Sequence, residues 1–218
     1  MCCWGFRCSD GDRSRLIEFP DPRDADAEGL IAVGGNLEPE TLLQAYGKGI
    51  FPWPIPGHPL PWFSPDPRAI LEFERLHISQ SLKKFLNKCD WRVSFNEAFI
   101  DVIEGCRTTR AESWITPAMK RAYVRLHELG HALSVEVWDG RKLVGGLYGV
   151  RLPYAFSAES MFHLESNASK VALVHLMNKL KDERLEWIDI QQMSPHLKAL
   201  GARDISRVEF LKKINPKK

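Results

Sequence analysis

The chain has 218 residues, 44% of them hydrophobic, which is enough to bury a core either as one large domain or as a small lobe attached to a larger one. Lys and Arg number 30 against 28 Asp and Glu, so net charge does not announce a nucleic-acid partner and any basic surface must be local. No apolar run approaches the roughly 18 residues of a membrane span and the first residues lack a secretory apolar region, so the expectation is a cytoplasmic protein without membrane contact.

Five cysteines do not complete a disulfide framework. Cys2, Cys3 and Cys8 cluster in the leader MCCWGFRC but match no closed zinc pattern, and Cys89 and Cys106 sit in segments that read as structural. No metal and no cofactor are expected.

Residues 1–65 read as a Pro-rich and Gly-rich lobe with one clear short helix over 41–48, capped by Thr41 and stopped by Gly49. The chain then turns into Ile50, Phe51, Pro52 and Trp53. Aromatic faces held by prolines lose little entropy when a planar ligand such as a nucleobase stacks on them. A Trp-rich mini-core is the alternative reading of the same residues.

Residues 66–218 alternate helices and strands. A helix is expected over 78–88, and its Lys83, Lys84 and Lys88 are candidate phosphate contacts, with a solvated helix face as the commoner fate of such a run. Further helices are expected over 96–106 and over 116–129, the latter with Thr116 as cap, Pro117 in the first turn and Gly130 at the stop. From His131 the period changes to two. Strands are expected over 132–138 and 142–150, joined by a turn at Asp139-Gly140, with a third strand over 155–162. A long helix over 167–184, with Asn167 as a cap, then leads to a buried strand over 187–191. The fold class is α+β with a mixed, mainly antiparallel sheet.

The segments GLIAVGG, AYGKGIFPW, WFSPDPR, SWIT, LVGGLYGV, ESMF, NASK, the pair Asp189-x-Gln191 and HLKALGA follow one another from about residue 16 to residue 210. In that order they resemble the leucyl/phenylalanyl-tRNA-protein transferase family. The resemblance implies a lobe over 1–65 that contributes an aromatic site for the tRNA end and an acetyltransferase-like catalytic domain over 66–218. GGLYG lies inside a strand-like run rather than between a strand and a helix, so an acetyl-CoA donor is disfavoured.

The implied partners are aminoacyl-tRNA carrying Leu or Phe, with Met as a further candidate, and proteins beginning with Arg or Lys, which the reaction marks for Clp-type degradation. A monomer is expected. Alternatives are an aminoacyltransferase of different donor or acceptor specificity and a tRNA-end-binding protein without catalysis.

Asp189 and Gln191 lie two apart on an expected strand and so share a face, as a satisfied polar position at a strand end also would. The resemblance places them at the reaction centre, with the Asp orienting the Gln amide and the Gln oxygen facing the acceptor amine. Glu159 is the other acidic candidate, a carboxylate able to hold the acceptor's cation, or else a surface ion pair.

Trp53 and Trp114 match the family tryptophans that hold the terminal adenosine, and Tyr46 falls in the same lobe motif. Leu147, Phe156, Ser160 and Met161 are candidate lining for the donor's side chain, with strand packing as the alternative. Ala158 stands where a Gly commonly precedes the Glu, and its methyl would narrow that pocket or forbid a positive φ.

Overall fold

The computed structural model describes residues 18–109 and 113–215. The leader cysteines Cys2, Cys3 and Cys8 lie outside the described residues.

The lobe carries a small sheet that its proline-rich sequence conceals. Strands β1 (Leu30–Val33), β2 (Phe51–Pro52) and β3 (Pro61–Phe63) form an antiparallel sheet in the order β1–β3–β2. Strands of two to four residues are too short to show a period of two. Helix α1 spans Pro39–Gly47 and begins two residues before the expected Thr41 cap, because Pro39 is preset for a first helical position. Thr41 lies in the first turn, where its Oγ1 donates to Asn36 Oδ1 at 2.8 Å. Gly49 ends the helix as expected, at φ 76°, and a Cβ there would come within 2.7 Å of Phe210 Cε1.

The remaining strands are β4 (Arg68–Glu72), β5 (Arg92–Phe95), β6 (Ala132–Asp139), β7 (Lys142–Arg151), β8 (Phe156–His163), β9 (Trp187–Gln191) and β10 (Arg203–Ile205). They make one sheet in the order β10–β4–β9–β8–β7–β6–β5, antiparallel at every junction except β8–β9. Helices α2 (Gln80–Leu86), α3 (Phe99–Thr108), α4 (Pro117–Glu128), α5 (Ala168–Asp182), α6 (Pro195–Ala199) and α7 (Arg207–Ile214) complete the chain. The fold is α+β with a mixed, mainly antiparallel sheet, and α5 is the crossover that makes β8 and β9 parallel.

Several boundaries move for local reasons. The hairpin turn is Gly140-Arg141 rather than Asp139-Gly140, since Asp139 pairs with Lys142 and Gly140 takes φ 58°. Helix α3 starts at Phe99 rather than Asn96, because Asn96 adopts φ 62° and its Oδ1 accepts the Ser134 N–H at 3.0 Å. The expected 78–88 helix contracts to α2, whose cap Ser79 accepts from the Leu82 N–H. Asn167 occupies the cap position of α5 at φ 74° but does not cap with its side chain, which accepts from Lys170 Nζ instead. Thr116 caps α4 and Gly130 follows it at φ 81°, as expected.

Two apolar layers enclose the large sheet. On one face the lobe residues Leu42, Ala45, Tyr46, Ile50 and Phe51 join Phe99, Ile103, Met119 and Tyr123 of α3 and α4 in a single core, so lobe and sheet share buried surface. On the other face α5 packs Leu173, Leu176 and Leu180 against Val135, Leu147 and Phe156.

Candidate active site

Strands β8 and β9 stay paired for two positions only, Phe156 with Ile188 and Ser157 with Asp189. Beyond that pair both chains leave regular strand geometry. In β8 the register against β7 slips between Tyr148 and Gly149, so Glu159 is the additional residue of a β-bulge, and bulges re-aim side chains. In β9 Gln191 takes φ 62°, and the Gln192 N–H closes a tight turn onto Ile190 O at 2.6 Å. A γ-turn of positive φ is rare and strained for a residue with a Cβ, costing on the order of 1–3 kcal/mol.

Asp189 and Arg68 hold that turn in place. Asp189 Oδ1 accepts the Gln191 backbone N–H at 2.9 Å. Arg68 grips Asp189 through Nε at 2.9 Å and Nη2 at 2.6 Å, a bidentate pair. The Arg68 guanidinium lies between the rings of Phe51 and Phe210, at 4.7 and 4.4 Å from their centroids, and its Nη1 donates to Gly49 O at 3.2 Å. Arg68 is 1% exposed and Asp189 3%, so neither is a surface charge. The same arginine therefore touches the lobe, α7 and the strand that carries Gln191.

The Gln191 side chain is oriented by a different set. Its Nε2 donates to Glu159 Oε1 at 2.8 Å and to Ser157 Oγ at 3.2 Å. Asp189 thus fixes Gln191 through the backbone, and Glu159 with Ser157 fixes the amide, a division of labour the sequence expectation had assigned to Asp189 alone. Among the described residues Gln191 Oε1 makes no hydrogen bond, so an acceptor remains available.

Glu159 is buried and surrounded by donors. Tyr123 OH donates to its Oε2 at 2.9 Å, Ser157 Oγ to its Oε1 at 3.2 Å, and Tyr46 OH meets Tyr123 OH at 2.5 Å. Burial pushes the Glu159 carboxyl up to about 7, against the opposing hydroxyls of Tyr46 and Tyr123 and with help from the Asp189 charge. Burial first, then the Glu159 charge, pushes the hydroxyls of Tyr46 and Tyr123 well above their ordinary range, so both serve as neutral donors. Its oxygens thus accept from Tyr123, Ser157 and the Gln191 amide, all groups of the protein itself.

The other expected residues divide between the two faces. Ser160 pairs with Tyr148, and its buried hydroxyl has no hydrogen-bond partner among the described residues. Leu147 and Phe156 are 1% and 0% exposed in the α5-side core, with Ala158 and Met161 partly buried against it. Ala158 does not have positive φ, so its methyl adds bulk without backbone strain. Trp53 and Trp114, from the lobe and from the segment before α4, stack with centroids 5.3 Å apart and planes 20° apart. Rings in direct contact leave a nucleobase the outer faces of the stack rather than its interior. Lys83, Lys84 and Lys88 are exposed on or just after α2, whose buried Leu82 belongs to the α5-side core, so the structure does not bring them to the tryptophans.

Arg68, Tyr123 and Ser157 are the candidate-site residues that sequence reasoning missed. Arg68 closes the segment WFSPDPR, and a lone arginine after a Pro-rich run was the only available signal.

The family described as leucyl/phenylalanyl-tRNA protein transferase matches residues 70–215, and its N-terminal domain matches residues 35–66. A leucyl/phenylalanyl-tRNA–protein transferase of Shewanella baltica is 48% identical over 198 residues, covering 88% of this chain and 84% of that protein. One of Maridesulfovibrio salexigens is 49% identical over 205 residues, covering 90% and 85%. Among solved structures, a ribosomal-protein-alanine N-acetyltransferase of Brucella melitensis biovar Abortus 2308 overlays in part, with TM-score 0.34 and 14% identity over 44% of this chain and 74% of that one. With 48–49% identity to such relatives over 88–90% of its length, the chain belongs to the leucyl/phenylalanyl-tRNA protein transferase family and is an aminoacyltransferase.

Proposed function

We propose that the protein transfers Leu or Phe, and secondarily Met, from aminoacyl-tRNA to the α-amino group of proteins beginning with Arg or Lys, producing a Clp-type degradation signal. The observation that carries the chemistry is the uncommitted Gln191 Oε1, aimed by a strained turn and by an amide nitrogen already spent on Glu159. An aminoacyl ester is activated, so attack by an amine needs positioning and desolvation more than a nucleophilic side chain. Gln191 Oε1 accepts one N–H of the attacking amine and turns its lone pair toward the ester carbonyl. The C–N bond forms, the ester C–O bond breaks, and the terminal ribose oxygen leaves with a proton. A carboxamide is too weak a base to keep that proton, so Gln191 orients rather than ionises.

In this reading the Trp53–Trp114 stack receives the terminal adenosine on an outer face, and Leu147, Phe156, Ala158 and Met161 border the donor's side chain. The protein acts as a cytoplasmic monomer; no described helix is long and apolar enough to cross a membrane. Transfer of labelled amino acids from a mixed charged-tRNA pool to peptides beginning with Arg, Lys, Asp or Glu tests donor, acceptor and catalysis together. Label entering only Asp-initiated or Glu-initiated peptides would move the acceptor assignment, and no transfer would leave a tRNA-end-binding protein.

Trp53→Ala or Trp114→Ala should weaken aminoacyl-tRNA binding by about 1–3 kcal/mol, the usual worth of one stacked base. Unchanged affinity in the folded variants rejects the adenosine site. Replacing Lys83, Lys84 and Lys88 together by Ala should flatten the salt dependence of tRNA binding, since each phosphate contact releases counterions. An identical slope returns them to a solvated helix face.

A further inference from the structure

A groove of about 630 Å³ runs between the lobe and α4. One wall is the loop after Trp53, from Pro54 to His58, and the other is Thr116 with the α4 face bearing Ala118, Arg121, Ala122 and Arg125. Its lining residues Pro54 and Thr116 follow Trp53 by one residue and Trp114 by two, so the chain brings the groove's edge beside the tryptophan stack.

The two walls differ in chemistry. Positions 118, 121, 122 and 125 recur at helical spacing on one face of α4, with small alanines that leave space and two exposed arginines beside them. Arg121 makes no ion pair among the described residues, and Arg125 is paired only with Glu128, both more than half exposed, an interaction that competes weakly with a new anion. Opposite them Ile55 is 44% exposed in a loop stiffened by Pro54 and Pro56. Among the described residues Glu38 is the only carboxylate lining the groove.

We infer that this groove binds the unpaired nucleotides preceding the terminal adenosine of the donor tRNA, with Arg121 and Arg125 on their phosphates and the Pro54–Pro56 loop against their sugars and bases. A cationic wall facing an apolar one is the arrangement that suits single-stranded RNA. An acceptor polypeptide beginning with Arg or Lys meets like charge on the same wall, which argues against it as the occupant. The inference rests on the tRNA-dependent reading of the site.

The Arg121→Ala/Arg125→Ala variant separates the possibilities when assayed with aminoacyl-tRNA and with the matching aminoacyl-adenosine, which has no phosphodiester. The KM for aminoacyl-tRNA should rise about tenfold more than that for aminoacyl-adenosine, and the log–log salt slope should flatten by about 1–1.5, from roughly 0.7 per single-strand phosphate contact. Binding of an uncharged RNA oligomer ending in CCA, followed by fluorescence anisotropy, should show the same loss and does not depend on transfer. That measurement keeps failure of the groove distinct from failure of the proposed reaction. An equal change for both donors, no change for the oligomer, or a rise confined to the KM of the acceptor peptide overturns the inference, the last assigning the groove to the polypeptide.

Discussion

Arg68→Lys is expected to lower turnover on the order of 10²-fold, the loss typical of one preorganised hydrogen-bonding group, while the donor KM stays near its parent value. Lysine keeps the charge but supplies neither the planar fork that grips both Asp189 oxygens nor the flat surface held between Phe51 and Phe210. What is lost is the hold on Asp189, hence on the Gln191 backbone N–H and the strained turn that aims Oε1. Asp189→Asn and Gln191→Ala should fall by comparable factors. Combining any two should be little worse than the poorer single variant, as for residues serving one function.

A purely structural arginine behaves otherwise. In that case Arg68→Lys would cost the same factor in a Gln191→Ala background as in the parent, and full additivity would sink the idea of a single unit. Arg68→Met, which leaves a buried carboxylate unpaired, should destabilise folding by about 3–5 kcal/mol in urea titrations, so Lys is the informative substitution for kinetics.

The parts of the site that could be read from sequence are those whose geometry is local. Asp189 and Gln191 sit two apart on a strand that matches the expected bounds, and both reach Ser157 Oγ, at 3.5 and 3.2 Å. Glu159 was visible as an acid in a strand of small and apolar residues. Its role was not, because a bulge and partners 32 and 36 residues away decide which way it points. Arg68 meets Asp189 across 121 residues of chain, a separation at which no periodicity carries information.

The fold divides similarly. The β6–β7 hairpin and β9 announced themselves through alternation and apolar runs. The lobe strands, β5 and β10 are held by neighbours in the sheet rather than by their own pattern. Gln191 at positive φ is the extreme case, since local preference opposes the conformation and only the Asp189 and Arg68 contacts impose it.

Glu159→Gln should change how both stability and rate depend on pH. Glu159 titrates near 7 in the folded protein against an ordinary 4.5, so from about pH 4.5 to 7 the folded state binds the proton that the unfolded state has released. Stability contributed by this group is therefore fully present below 4.5 and falls as pH rises to 7, by about 3 kcal/mol in all. Urea unfolding at pH 5 and pH 7.5 should show the parent losing most of that amount, about 2 kcal/mol, relative to Glu159→Gln. Turnover has the opposite slope. The ionised carboxylate is the better acceptor for Gln191 Nε2, so kcat/KM should rise through pH 7, with a second rise near 8 as the acceptor's α-amine loses its proton, at its usual pKa of about 7.7–8.0. In Glu159→Gln the rise near 7 should vanish and the one near 8 remain. A variant that keeps both rises, or unfolds with the parent's pH dependence, would show that the group titrating near 7 is not Glu159 and that Gln191 is aimed without its charge.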